Sequence, residues 1–134
     1  IEPFLVSSSV NCIVAQRLAR RVCEECREPD TETRVDDLVR AGMEESKAKD
    51  VTPQKGRGCR ACSETGFKGR IALYEVMPIG EELKEFVLNG ASAAELKRET
   101  IRLGMVTLRQ SALHKLAEGV TTMSEVFRVS AADY

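Results

Sequence analysis

Two cysteine pairs constrain this 134-residue chain more than any other feature. Cys23-x-x-Cys26 and Cys59-x-x-Cys62 are separated by 32 residues. A two-residue gap turns both thiolates of a pair toward one point. Two such knuckles complete a tetrahedral site with Zn–S bonds of about 2.3 Å. Four thiolates leave no open coordination position, so the spacing predicts structural Zn2+ rather than a catalytic metal. Iron in the same sulfur cage and metal-free pairs are the alternatives it leaves open. Five cysteines in a chain without a secretory signal fit a reducing compartment better than a disulfide framework. Between the pairs the chain is polar, so the metal is expected to supply much of that insert's folding energy.

Around the cysteines the pattern is mainly helical, giving an expected α+β fold that is mostly α. Pro3 to Arg21 is read as a leading helix, with Pro3 in its first turn and Val10, Val14, Leu18 and Val22 repeating every four residues. A second, polar helix is expected from Val35 to about Lys49 with Thr33 as N-cap. "DVTPQKGRG" is read as a loop. "GRIALYEVMP", Gly69 to Pro78, is read as a strand buried on both faces. Beyond it come short helices: one with Leu83, Phe86 and Val87, one opened by the capping box "SAAE", one opened by Thr107, and one opened by "TMSE". The expected division is 1–22, the end of a larger core; 23–78, a tetracysteine zinc-binding subdomain with its strand; and 79–134, a C-terminal bundle of short helices. With 20 basic and 21 acidic residues, the chain has no overall pull toward nucleic acid or an anionic membrane. It has no apolar run of the roughly 18 residues a transmembrane helix requires. The opening "IEPFLVSSSVN" lacks signal-peptide features and lacks Met, so the chain is expected to be a piece of something longer.

Other residues carry weaker signals. Arg17, Arg20 and Arg21 in "AQRLARR" share one face if the segment is helical. They then either complement the helix C-terminus or form a cluster aimed at an anion, a nucleotide phosphate or an acidic neighbour. In "ETGFKGR", Gly66 and Gly69 permit the positive φ that folds the chain back under the metal. Lys68 and Arg70 either offset thiolate charge or contact a partner or phosphate. Cys12 is expected to be a small buried hydrophobe, and His114 a surface residue. No nucleophile–base pair and no GxxxxGK[ST] loop is visible, so this chain alone shows no enzyme chemistry.

Three stretches in order, "IEPFLVSSSVNCIVAQRLARRVCEEC", "GRGCRACSETGFKGRIALYEVMPI" and "TLRQSALHKLAEGVTTMSEVFRV", resemble the secretion-type ATPases, the hexameric motors of type II secretion and type IV pilus assembly. The resemblance covers nearly the whole chain. It favours the tetracysteine branch over retraction motors, and pilus assembly slightly over secretion. It implies a C-terminal fragment, with ATP and Mg2+ bound only by upstream motifs of the full-length parent. It further implies a cytoplasmic location, peripheral to the inner membrane through partner proteins. Those partners would be the upstream ATPase core, neighbouring subunits of a hexamer and an inner-membrane platform protein, with no nucleic acid and no direct membrane insertion. Cys23, Cys26, Cys59 and Cys62 would hold zinc, and Arg17, Arg20 and Arg21 would lie near the nucleotide or a subunit interface. The alternative reading is a self-contained zinc-ribbon module that binds protein or nucleic acid.

Overall fold

A computed structural model describes residues 1–130 and shows an α+β chain in two compact units. Among the described residues, seven helices accompany four strands and one 3₁₀ turn, Arg60–Cys62. The first unit combines Ile1–Ala15 with Tyr74–Thr107; the second combines Gln16–Leu73 with the residues from Leu108. The boundary cuts two paired strands, β1 (Cys12–Val22) and β4 (Phe67–Pro78). Their ladder is antiparallel. It is bracketed by Ile79 N–H to Asn11 O at 2.8 Å in the first unit and by Cys23 N–H to Gly66 O at 2.9 Å in the second.

The long leading helix is overturned by this pairing. Helix α1 covers only Pro3–Ser9, with proline in its first turn as expected. The hydroxyls of Ser7 and Ser8 donate back to Phe4 O, and that of Ser9 to Leu5 O. Such back-bonds compete with helix propagation. By Val10 the backbone is extended, and β1 follows. A repeat of four cannot tell helix from strand, because four is also a multiple of the strand period of two. Pairing with a strand some fifty residues away decided it. Strand β4 itself lies where the sequence placed it, but only one of its faces is covered. Leu73 is buried and Ile71 packs beside it, while Tyr74 and Val76 stay exposed.

The first unit is helical beyond β4. Helix α4 (Glu81–Leu88) packs against both α1 and α5 (Ala93–Arg102). Ser92 caps α5 by accepting from Glu95 N–H at 3.2 Å, which is one half of the expected box. In the second unit, α2 (Val35–Ala41) and α3 (Glu45–Ala48) replace the single polar helix, because Gly42 breaks it at φ 121°. Thr33 is not the cap. Its hydroxyl donates to Asp30 Oδ2 at 2.6 Å, while the Asp37 carboxylate accepts from Arg34 N–H at 2.9 Å. Helices α6 (Leu108–Ala117) and α7 (Met123–Val129) pack on each other. Their buried Leu113, Leu116 and Val126 share one core with Leu38, Ala41 and Ala48 of α2 and α3. The segment between the cysteine pairs therefore has an apolar anchor that its polar composition concealed.

Candidate functional site

Two short strands bring the distant cysteine pairs together. β2 (Arg27–Pro29) pairs antiparallel with β3 (Gln54–Gly56), in the register Arg27↔Gly56, Glu28↔Lys55, Pro29↔Gln54. Neither strand was visible in the sequence, where β3 fell in the segment read as a loop. Arg57 N–H to Cys26 O at 3.1 Å continues the clasp. Glycine is required here by contact. A Cβ on Gly56 would lie 2.0 Å from Gly66 O, and one on Gly66, at φ 82°, would lie 2.5 Å from Gly56 O. The two backbones therefore approach as closely as hydrogen side chains allow.

The four sulfurs converge within 4.8 Å of one another. Cys23 Sγ lies 3.8 Å from Cys59 Sγ, Cys26 Sγ lies 3.8 Å from Cys62 Sγ, and Cys59 Sγ lies 3.7 Å from Cys62 Sγ. A regular tetrahedron of sulfurs about 2.3 Å from its centre has edges of about 3.8 Å. The donor set thus fits a tetrahedral ion without movement. Backbone N–H groups point at the sulfurs: Gly58 to Cys26 at 3.3 Å, Cys59 to Cys62 at 3.3 Å, and Gly66 to Cys62 at 3.2 Å. Burial pushes the Cys26 thiol up to about 11, against the Gly58 donor. Burial also pushes Cys62 up, but the Cys59 and Gly66 donors outweigh it and bring that thiol down to about 6. Four clustered sulfurs, three of them on buried cysteines, cannot all carry charge without a counter-ion, and a divalent cation at their centre would provide it. These four cysteines can hold a metal ion. Cys12, expected to be buried, is instead exposed and stands apart from the cluster.

The second unit carries a second chemical feature, an arginine groove. Arg17, Arg20 and Arg21 do not share a helix face, because all three lie on the strand β1. Arg17 and Arg20 line a groove of about 850 Å³ together with Gln16, Leu18, Arg70, Arg128 and Val129. Arg21 is not among its lining residues. Arg20 lies over the Phe67 ring at 4.1 Å and is held by Glu125. The sequence suggested Glu125 as a capping glutamate. Instead it is 1% exposed, and its carboxylate accepts from Arg20 N–H at 2.7 Å, Arg20 Nε at 3.2 Å and Arg128 Nε at 2.7 Å. Arg128 foremost, with Arg20 behind it, holds the Glu125 carboxyl down to about 2 despite burial. Only the Thr122 half of that capping box forms, with Glu125 N–H donating to Thr122 Oγ1 at 3.3 Å. Buried Arg109 was missed altogether. It donates to Ser130 Oγ at 2.8 Å and to Ala41 O at 3.3 Å, and its guanidinium lies 5.0 Å from the Phe127 ring.

The comparisons with known proteins agree on one family. A family model described as Type II/IV secretion system protein matches residues 1–128. The "Type IV pilus assembly ATPase PilB" of Myxococcus xanthus is 51% identical over 99% of this chain, which covers 24% of that relative. Its namesake in Thermus thermophilus is 40% identical over 94% of the chain, covering 14% of the relative. The "Type II secretion system protein E" of Pseudomonas aeruginosa is 36% identical over 97%, covering 25%. The chain thus spans a quarter or less of the length of these relatives.

Proposed function

We propose a role for this chain from the fact that it belongs to the Type II/IV secretion system protein family: it is the zinc-stabilised C-terminal module of a hexameric ATPase that powers type IV pilus assembly. Two relatives at 51% and 40% identity carry the pilus-assembly name, against 36% for the secretion protein, which supports pilus assembly over secretion. The observation that carries the zinc reading is the sulfur cluster, with spacings of 3.7 and 3.8 Å that match a Zn–S tetrahedron. In this reading zinc closes residues 23–78 into a subdomain, and residues 79–130 supply helices α4 to α7 of the module. ATP and Mg2+ belong to the upstream core of the parent.

In this reading the module transmits motion and docks, rather than performing chemistry. The first unit leaves Phe4, Leu5, Ile13, Val14, Tyr74 and Val76 exposed, apolar surface suited to packing on that upstream core. Arg17, Arg20 and Arg21 serve the nucleotide or a subunit interface, and the zinc subdomain faces the inner-membrane platform protein. No helix among the described residues is long and apolar enough to cross a membrane, which is consistent with attachment through partners from the cytoplasmic side.

Elemental analysis with thiol titration tests the metal. The expected result is one zinc per chain, with four thiols shielded until a chelator is added and Cys12 reactive throughout. A metal-free chain with all five thiols reactive from the start would overturn the proposal.

A further inference from the structure

We infer that the second knuckle, Cys59-x-x-Cys62, is a redox latch: a hydroperoxide oxidises this pair to a disulfide and opens the metal subdomain, and a thiol reductant lets it close again. The inference rests on the reading that the four sulfurs hold zinc, and it adds a regulation of that site. The two knuckles differ in exposure. Cys23 and Cys26 are 0% and 5% exposed, so an oxidant does not meet either sulfur first. Cys59 is the one member of the cluster that is not buried. It opens the 3₁₀ turn Arg60–Cys62, around which Arg60, Ser63 and Glu64 face solvent. Oxidation of cysteine follows access to the sulfur.

A buried partner stands within reach of that sulfur. Cys62 Sγ lies 3.7 Å from Cys59 Sγ, and it accepts from Cys59 N–H at 3.3 Å and Gly66 N–H at 3.2 Å. An accessible sulfur followed three residues on by a held, buried one is the order that stepwise oxidation needs. Cys59 Sγ attacks one peroxide oxygen and the O–O bond breaks. Cys59 becomes a sulfenic acid and hydroxide leaves. Cys62 Sγ then attacks Cys59 Sγ. The S–S bond forms as the S–O bond breaks, and a second hydroxide leaves. Two thiolates have thereby given two electrons to one peroxide. Cys23 and Cys26 are then the only free thiolates of the cluster, too few to complete a tetrahedral site. The turn beside the latch is poised to move. Ser63 and Glu64 stand in succession at φ 55° and 65°, left-handed values that persist in non-glycine residues only where the surroundings impose them. The ligand pair directly before them supplies that constraint, and its release lets the turn relax.

The test uses the zinc-loaded 134-residue chain carrying Cys12→Ser, which removes the exposed thiol that stands apart from the cluster. Hydrogen peroxide is added while zinc release, thiol loss and dimedone trapping of sulfenic acid are followed. One zinc is expected to leave for every two thiols lost, with dimedone first on Cys59 and a Cys59–Cys62 disulfide in the peptide map. Dithiothreitol with Zn2+ is expected to restore the metal and the four shielded thiols. Cys59→His and Cys23→His each exchange one sulfur for a nitrogen that zinc accepts. The first is expected to slow peroxide-driven release at least about tenfold, and the second much less. If either variant fails to load zinc, the order of dimedone labelling in the Cys12→Ser chain decides alone. Labelling first on Cys23, Cys26 or Cys62, a Cys23–Cys59 disulfide, or zinc loss that dithiothreitol and Zn2+ do not reverse overturns the inference. Zinc content before peroxide separates the two proposals. Zinc present and retained through oxidation sinks this inference alone, whereas zinc absent from the start sinks the module reading and this inference with it.

Discussion

In the second unit, eleven buried apolar residues from β1, β4 and four helices close on one another, and a sulfur cluster forms beside them. In the first unit, Leu83 is the one buried hydrophobic side chain among the described residues, joined by Ser7, Thr100 and Thr107. Both units have apolar sequences and regular helices. The difference lies in closure. The second unit returns to itself twice, through the β2–β3 clasp and through α6 and α7, so its apolar faces meet partners. The first unit offers faces that nothing in the described chain covers. Apolar content alone therefore does not make a core; the chain must also bring a second surface to the first.

The sharpest way to break this comparison is to deny the cysteine cluster the metal proposed for it. Chelation, or Cys23→Ser at a fully buried cysteine of the cluster, is expected to strip amide-exchange protection from residues 23–30 and 54–66 first. Apparent binding energies for structural zinc reach about 10–16 kcal/mol in small domains, so the loss should be large. Amides of α4 and α5 should be unaffected. Equal loss of protection in both units would show that they fold as one.

A smaller contrast comes from truncation. Leu116→Ala, at a side chain with no exposure inside the second core, is expected to cost about 2–5 kcal/mol by denaturant unfolding. Leu83→Ala in the first unit should sit at or below the low end of that range, because few buried neighbours surround it. Similar costs for both would refute the claim that only one unit has a closed core.

The last contrast is electrostatic. The folded Glu125 carboxyl lies near 2, below its ordinary 4.5. Its stabilising contribution is therefore complete above about 4.5 and is lost as pH falls toward 2, a span worth roughly 3 kcal/mol. Comparing Glu125→Gln with the parent isolates this term from acid release of the metal, which affects both. The stability gap between them should narrow as pH drops from about 5 to 2; a constant gap would mean that Glu125 acts through shape rather than charge.

Much of this was legible locally. Cysteine pairs with two-residue gaps announced the sulfur cluster, because knuckle geometry needs only neighbouring residues. Ser92 and Thr122 announced helix starts for the same reason. Gly42 was visible too, and its power to split the polar helix went unread. The illegible part was long-range. Residues 12–22 carry a period that fits either helix or strand, and only β4 resolved it. Leu38 looked isolated in a polar segment until α6 and α7 gave it a core. Glu125 looked like a cap until Arg20, 105 residues away, claimed its carboxylate.

What the sequence determined by itself is thus the set of cysteines that converge, the turn glycines around them and most helix boundaries. Each depends on interactions within a few residues, where spacing alone sets geometry. The tertiary structure decided the state of residues 12–22, the core beneath the polar insert, and the gathering of Arg17, Arg20, Arg70 and Arg128 into one groove. Those depend on contacts between residues far apart in the chain, whose partners no local pattern specifies.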